Sequence, residues 1–234
     1  MHRPHVVILG AGCSRAAFPN GDANGVKLPL MCDFLDILTP VRDLLESAGV
    51  RTSGRNFEEV YSEIVAGGRR GLCLEVEALI HHYFSALRLP DHPTLYDRLV
   101  LSLRNEDVVA TFNWDPFLIQ AKQRNPVLSG HGPQLLFLHG NVLAAFCEAD
   151  SYAGPVGSAC QRCGKPLSPS RLLYPIKEKD YDSDTMIGVN WKQVRDDLER
   201  SFKITVFGYG APASDVAAIR LLKVKVWATR RRKS

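Results

Sequence analysis

Residues 5–18 read HVVILGAGCSRAAF: four apolar residues, Val6–Leu9, then Gly10 and Gly12 around Ala11, then Cys13 and Ser14. A short apolar run that stops abruptly suits a strand of a parallel sheet covered on both faces. Glycines at its end let the backbone turn tightly and approach a pyrophosphate, with helix-start amides facing the negative charge. The dinucleotide fingerprint asks for a third Gly or Ala three residues after the second, where this chain has Arg15. A tight strand-to-helix turn with no ligand therefore stays open as an alternative for this stretch alone.

Three further runs have the same form: DVVATFNW (107–114), QLLFLHG (134–140) and KITVFGYG (203–210). Between them lie helical patterns. In LEVEALIHHYFSAL the apolar stripe is Val76, Ile80, Tyr83 and Leu87; in NWKQVRDDLERSF it is Trp191, Val194, Leu198 and Phe202. Strands alternating with helices predict a doubly wound, mostly parallel α/β sheet of Rossmann-like type. About ninety residues separate the first two strands, more than one crossover helix requires. Residues 30–94 read as a helical insertion broken at SAGVRTSGRN, and 145–190, rich in Gly, Pro, Cys and Ser, as a small Cys-containing one. The chain then divides as one domain, 1–234: an α/β core of 1–29, 95–144 and 191–228, the two insertions, and a basic tail, 229–234.

A length of 234 residues with 45% hydrophobic content buries a core without staples. No 18-residue apolar run exists and the N-terminus has no signal-peptide layout, so the expectation is a cytoplasmic protein with no membrane partner. The net charge of +4 comes from Arg230, Arg231, Arg232 and Lys233; without them the chain is formally neutral. A clustered basic face on the folded body, as nucleic acid requires, is missing. The tail reads as a solvated end. Scattered cysteines and a single close pair, CQRC (160–163), argue for metal or free thiols rather than a disulfide framework.

Functional residues in such sheets gather at the carboxyl ends of strands. The second strand ends in TFNWDP, offering Thr111, Asn113 and Asp115, with Pro116 as a first-turn helix residue. Asn and Asp also serve as helix caps, which explains one of the two better than both. The third ends on His139 and Gly140. Alone, such a histidine is a half-buried structural residue; beside Asn113 and the glycine loop it becomes a candidate acid or base. The fourth end, FGYGAPASD, supplies Gly208, Tyr209, Gly210, Ser214 and Asp215. A glycine-rich loop with an N-cap explains that stretch equally well.

The ordered set GAGCS, LPLMCDF, TFNWDP, LHGNV, CQRCGKP, LLYPIKEKDY and FGYGAPASD resembles the sirtuin-like NAD-binding superfamily, nearest to its divergent bacterial branch known for NAD-consuming domains in antiphage defence. The resemblance spans residue 6 to about 215. It implies that Gly10, Ala11, Gly12, Cys13 and Ser14 line the NAD pyrophosphate, with Thr111 beside them. Asn113 would sit near the nicotinamide ribose, with Asp115 supporting the pocket. His139 would act as general acid/base at the ribose, and Gly208, Tyr209, Ser214 and Asp215 would contact the adenosine side. Glycosidic cleavage with capture by water would yield nicotinamide and ADP-ribose.

The deacetylase segment GIPDFR has no clear match in PNGDANGVKLPLMCDF, which weakens an acyl-lysine reaction. The family's metal ribbon carries two CxxC pairs, whereas here Cys160 and Cys163 form one and CEAD gives Cys147 with Asp150 in place of the other. Three thiolates and a carboxylate can close a structural zinc site, and a ribbon folded without metal is the alternative. A deacylase, an ADP-ribosyltransferase and a non-catalytic NAD or ADP-ribose sensor remain open. Relatives of this kind can be switched on by oligomerisation or by an attached sensor or effector domain.

Overall fold

Four of the apolar runs form one parallel sheet in the computed structural model, which describes residues 3–125, 131–176, 185–211, 215, 219 and 220. Its strands are β1 (His5–Leu9), β2 (Val108–Thr111), β3 (Gln134–Phe137) and β7 (Lys203–Phe207), in the spatial order β3-β2-β1-β7. Leu9 lies opposite Thr111 on one side and Phe207 on the other, and Thr111 opposite Phe137, so the strands finish level. Progress toward β3 runs one way from β1, and β7 lies on the other side. The topological switch point is therefore between Gly10 and Gly208.

The inner strands β1 and β2 are buried because both faces are covered, whereas β7, at the sheet edge, carries Lys203 and Thr205 and leaves Val206 and Phe207 exposed. Val7, Leu9, Val109 and Phe137 belong to the core shared with the helices between β1 and β2. Val6, Ile8, Val108, Ala110 and Leu136 pack on Ile187, Trp191, Val194 and Leu198 of α8 (Thr185–Arg200). Each fully buried Val, Leu, Ile or Phe among them contributes roughly 1.5–3 kcal/mol.

The span read as a helical insertion contains α2 (Phe34–Ile37), α3 (Thr39–Ser47), α4 (Phe57–Ala66) and α5 (Arg70–Ala86), following α1 (Ala11–Ala17). The expected break falls between α3 and α4, and Asn56 caps α4 by accepting from Glu59 N. On α5 the buried stripe is Val76, Ile80 and Phe84, with Leu87 just past its end. Tyr83 is only half-buried because its hydroxyl reaches out to the Lys27 carbonyl. Phe202 is another departure: α8 ends at Arg200, and Phe202 lies 55% exposed with the Arg104 guanidinium over its ring. The predicted α8 pattern holds through Leu198 and fails one turn later.

Two helices frame β2. α6 (Leu95–Ser102) starts with a capping box between Thr94 and Asp97; α7 (Phe117–Arg124) starts after Pro116. Arg124 closes a forked ion pair on Asp97, locking the two helices together. The Cys-containing span folds as a small antiparallel sheet, β5-β4-β6, of β4 (Ala144–Cys147), β5 (Tyr152–Pro155) and β6 (Ser168–Pro169). Its last residues, 185–190, belong instead to the first turns of α8. No helix among the described residues is long and apolar enough to cross a membrane. The basic tail lies outside the described residues.

Candidate active site

The switch point is welded by glycine. A Cβ on Gly208, whose φ is +67°, would fall 1.9 Å from the Cys13 nitrogen, and one on Gly10 would fall 2.6 Å from the Gly208 oxygen. Such an approach is open only to glycine. Gly10 N donates to Phe207 O at 3.1 Å, Gly12 N to Gly208 O at 2.9 Å, and Cys13 N to Gly10 O at 2.9 Å. The sequence led us to expect these first-turn amides to face a pyrophosphate. Two of them, on Gly12 and Cys13, are spent on backbone carbonyls instead, because the loop must first bind β1 to β7.

Above this weld opens a cavity of about 610 Å³. Its floor holds Gly10, Ala11, Gly12, Ser14, Asn113, Asp115, His139, Gly208, Tyr209 and Asp215 together. Ser14 Oγ donates to Asp115 Oδ2 at 2.6 Å and lies 2.7 Å from Tyr96 Oη. Asn113 Nδ2 donates to Gly10 O at 3.1 Å and Ser14 Oγ at 3.0 Å, while its backbone amide donates to Thr111 Oγ1. Both amide protons are thus committed, which fixes the orientation of the side chain. Asn113 Oδ1 and Trp114 Nε1 are buried with no hydrogen-bond partner among the described residues, leaving one acceptor and one donor beside the cavity.

Asp115 lies at the centre of this network. Burial pushes its carboxyl up to about 6, against the pull of Ser14, the Phe117 amide and Asn113, each of which favours the charged form. Its own carbonyl accepts from Asn141 Nδ2 at 2.6 Å, and Asn141 Oδ1 accepts from Leu143 N. The residue is therefore gripped from both of its ends.

His139 Nε2 stands 3.6 Å from Asp215 Oδ1, and Asp215 Oδ2 accepts from the Tyr209 hydroxyl at 3.1 Å. Phe112 fixes the imidazole edge-on, with ring centroids 4.9 Å apart, and stacks on Tyr209 at 4.4 Å. Gly140 adopts φ +77°, and a Cβ there would meet Arg171 O at 1.7 Å. The space beside His139 is therefore taken by the chain at 170–171.

The opposite side of the cavity is apolar: Leu28, Pro29, Leu30, Met31, Phe34 and Phe84. Trp114 meets Phe34 and Phe84 edge-on, at 6.4 and 5.6 Å. Arg15 ties this wall to α1 by pairing with Asp33 and donating to Leu28 O.

Of the residues read from sequence, Cys13 and Thr111 do not line the cavity. Cys13 points to the far side of α1, where burial pushes its thiol up to about 12; Thr111 acts through the Asn113 amide. Ser214 lies outside the described residues. Tyr96 was not anticipated, and Asn141 and Leu28–Asp33, though they fall in the motifs LHGNV and LPLMCDF, were given no role at the site. Tyr96 follows a readable capping signal, Thr94-x-x-Asp97, but nothing local places it against Ser14, 82 residues away.

The four residues expected to bind metal also meet. Cys147 Sγ lies 3.7 Å from Cys163 Sγ and 3.5 Å from Asp150 Oδ2, and Cys160 Sγ lies 3.2 Å from the same oxygen. All four ligand atoms fall within 4.8 Å of one another. A tetrahedral zinc ion needs S···S edges of about 3.8 Å and S···O edges of about 3.5 Å, from its ordinary bond lengths. The donor set fits such an ion, and none of the four lines the cavity.

No protein-family model matches the chain, and no curated protein matches it. Solved structures to which it is similar include a Sir2 homologue mutant complexed with ADP-ribose, at 16% identity over 94% of this chain and 76% of that one, with a TM-score of 0.43. A Sir2 homologue–NAD complex is 14% identical over 96% and 82%, with a TM-score of 0.43. A Sir2 structure bound to a propionylated peptide is 18% identical over 96% and 77%, with a TM-score of 0.36.

Proposed function

We propose that the protein is an NAD-consuming enzyme of sirtuin-like type that hydrolyses NAD to nicotinamide and ADP-ribose, in keeping with the defence-associated branch that its motifs resemble. One observation carries this reading: Asn113, Asp115 and His139, from the ends of adjacent parallel strands, face one cavity at the glycine-built switch point. Each has a chemical task in glycosidic cleavage. Asn113 Oδ1, the uncommitted acceptor, would hold the attacking water near the anomeric carbon. Asp115 would place negative charge against the oxocarbenium-like ribose. His139, oriented by Phe112 and Asp215, would take the proton from water or a ribose hydroxyl. Trp114 Nε1 is a donor for a ligand carbonyl.

Nicotinamide release from NAD by the purified protein tests this. Wild type is expected to exceed an Asn113→Ala, His139→Ala double variant by about 10²–10⁴-fold, the usual worth of positioned acid–base groups. Equal rates for the two, under conditions where wild type turns over, would remove the hydrolase reading. Turnover that requires added acylated peptide would instead favour a deacylase. NAD recovered unchanged from a saturated complex would favour a sensor.

The Cys147–Asp150–Cys160–Cys163 cluster we assign to structural zinc. Purified protein should then contain about one zinc per chain. Chelation should lower the melting temperature, since metal binding and folding of such a ribbon are coupled. Metal-free protein with an unchanged melt would overturn the assignment.

A further inference from the structure

Ser14 Oγ has one proton and two lone pairs, and it has three partners: Asp115, Tyr96 and Asn113. Asn113 Nδ2 can only donate to it. An ionised Asp115 can only accept, so the Ser14 proton goes to Asp115. The remaining lone pair is left for the Tyr96 hydroxyl proton. With Asp115 ionised, the count assigns the Tyr96 proton to Ser14, in competition with the Cys13 sulfur that also lies within reach of the Tyr96 hydroxyl.

Tyr96 is held for this task. Its ring stacks on Phe18 at 5.9 Å and tilts against Phe117 at 5.7 Å, and it is 2% exposed. The capping box at its own helix start and the Arg124–Asp97 fork fix its backbone. It does not line the candidate cavity.

We infer that Tyr96 is a positioning residue of this site: by donating to Ser14 Oγ it turns the Ser14 proton onto Asp115 and holds Asp115 as a carboxylate. The consequence for turnover rests on the NAD reading above; the effect on Asp115 does not. Among the described residues no lysine or arginine lies within 4 Å of the Asp115 carboxylate. The titratable groups around it are Cys13 on α1, Tyr96 on α6 and His139 after β3, with Cys32, Glu58 and Asp215 on the same cavity. None of these supplies a fixed cation. Hydroxyl and amide donors are what oppose the burial that pushes the carboxyl up.

The test is a carboxyl-carbon NMR titration of the ligand-free protein, with Asp115→Asn identifying the resonance. Tyr96→Phe keeps the ring and removes the donor; the Asp115 midpoint is expected to rise by roughly half a unit to one unit, the net worth of one neutral hydroxyl hydrogen bond. In a Ser14→Ala background the same substitution should add no shift, because the link is gone. The acid limb of kcat/KM for NAD should move upward with the midpoint. Should Tyr96→Phe fail to fold, 3-fluorotyrosine at position 96, a stronger donor, should move the midpoint down. An unchanged midpoint, or an equal shift in the Ser14→Ala background, overturns the inference. A shifted midpoint in a protein that never turns over NAD would leave the inference standing and remove only the NAD reading.

Discussion

The floor and the wall of the cavity are built by opposite means. The floor consists of buried polar groups and backbone, each fixed by hydrogen bonds across distant parts of the chain: Gly12 to Gly208, Asn113 to Gly10, Asn141 to Asp115. The wall consists of Leu28–Met31, Phe34 and Phe84 packed around Trp114, tied down by the partly exposed Arg15–Asp33 pair and a few bonds to its own backbone. Groups that must be placed to a fraction of an ångström sit on the ends of a rigid sheet. The surface that shapes the rest of the cavity comes from an irregular segment, Leu28–Met31, and from apolar side chains of α2 and α5.

The sharpest way to break this contrast is at Gly208. Ala there must adopt φ +67° and push its Cβ against the Cys13 backbone, which cannot yield without moving β1 relative to β7. Gly208→Ala is expected to cost roughly 3–5 kcal/mol in urea unfolding, the range of severe backbone and overpacking effects. At Gly210 an added Cβ meets nothing within 4 Å, so Gly210→Ala should stay within about 0.5 kcal/mol. Similar costs at the two positions would show that the floor is not welded as described.

The same contrast explains what could be read from the chain. Strands β1 and β2 announce themselves because both-face burial leaves uninterrupted apolar runs, β3 and the edge strand β7 through short β-branched or apolar runs that stop abruptly. The floor residues follow those runs directly. Asn113, Asp115 and His139 were legible because strand ends define a shared edge. The wall was not: Leu28–Asp33 has no secondary structure to give it a period, and its anchor is an ion pair between Arg15 and Asp33, which sequence alone does not connect. Cys13 fell on the wrong side of α1 because a helix turn of about 100° per residue points alternate members of a glycine loop in different directions. Phe202 misled for the opposite reason, continuing the helical spacing beyond the residue where the chain leaves α8 for β7.

Asp115 gives a second, smaller test of the floor. Its carboxyl titrates at about 6 rather than at its ordinary 3.8, so between pH 4 and pH 6 the folded chain binds a proton that the unfolded chain has lost. Stability contributed by this residue therefore falls as pH rises through that window. The shift of roughly two units corresponds to about 3 kcal/mol. Asp97 and Asp107 are held below the ordinary range by their arginines and act in the opposite sense at lower pH, so the test is a comparison. The stability of Asp115→Asn relative to wild type should increase from pH 4 to pH 7 by about that amount. A difference independent of pH would mean that Asp115 is ionised in the fold as easily as in water.

The smallest effect belongs to the wall. Arg15 and Asp33 are each about one-third exposed, so solvent screens their attraction, and the pair contributes about 1 kcal/mol at most. Arg15→Ala should accordingly leave global unfolding nearly unchanged. Its effect is local: Arg15 also donates to Leu28 O, and Asp33 Oδ1 accepts the Leu30 amide at 2.7 Å. Without the guanidinium, Asp33 loses the partner that orients it, and the Leu30 amide should exchange with solvent about five- to tenfold faster while Val7 and Val109 amides in the sheet do not change. Equal exchange at Leu30 in the two proteins would mean that aromatic packing on Trp114, rather than the guanidinium, holds the wall.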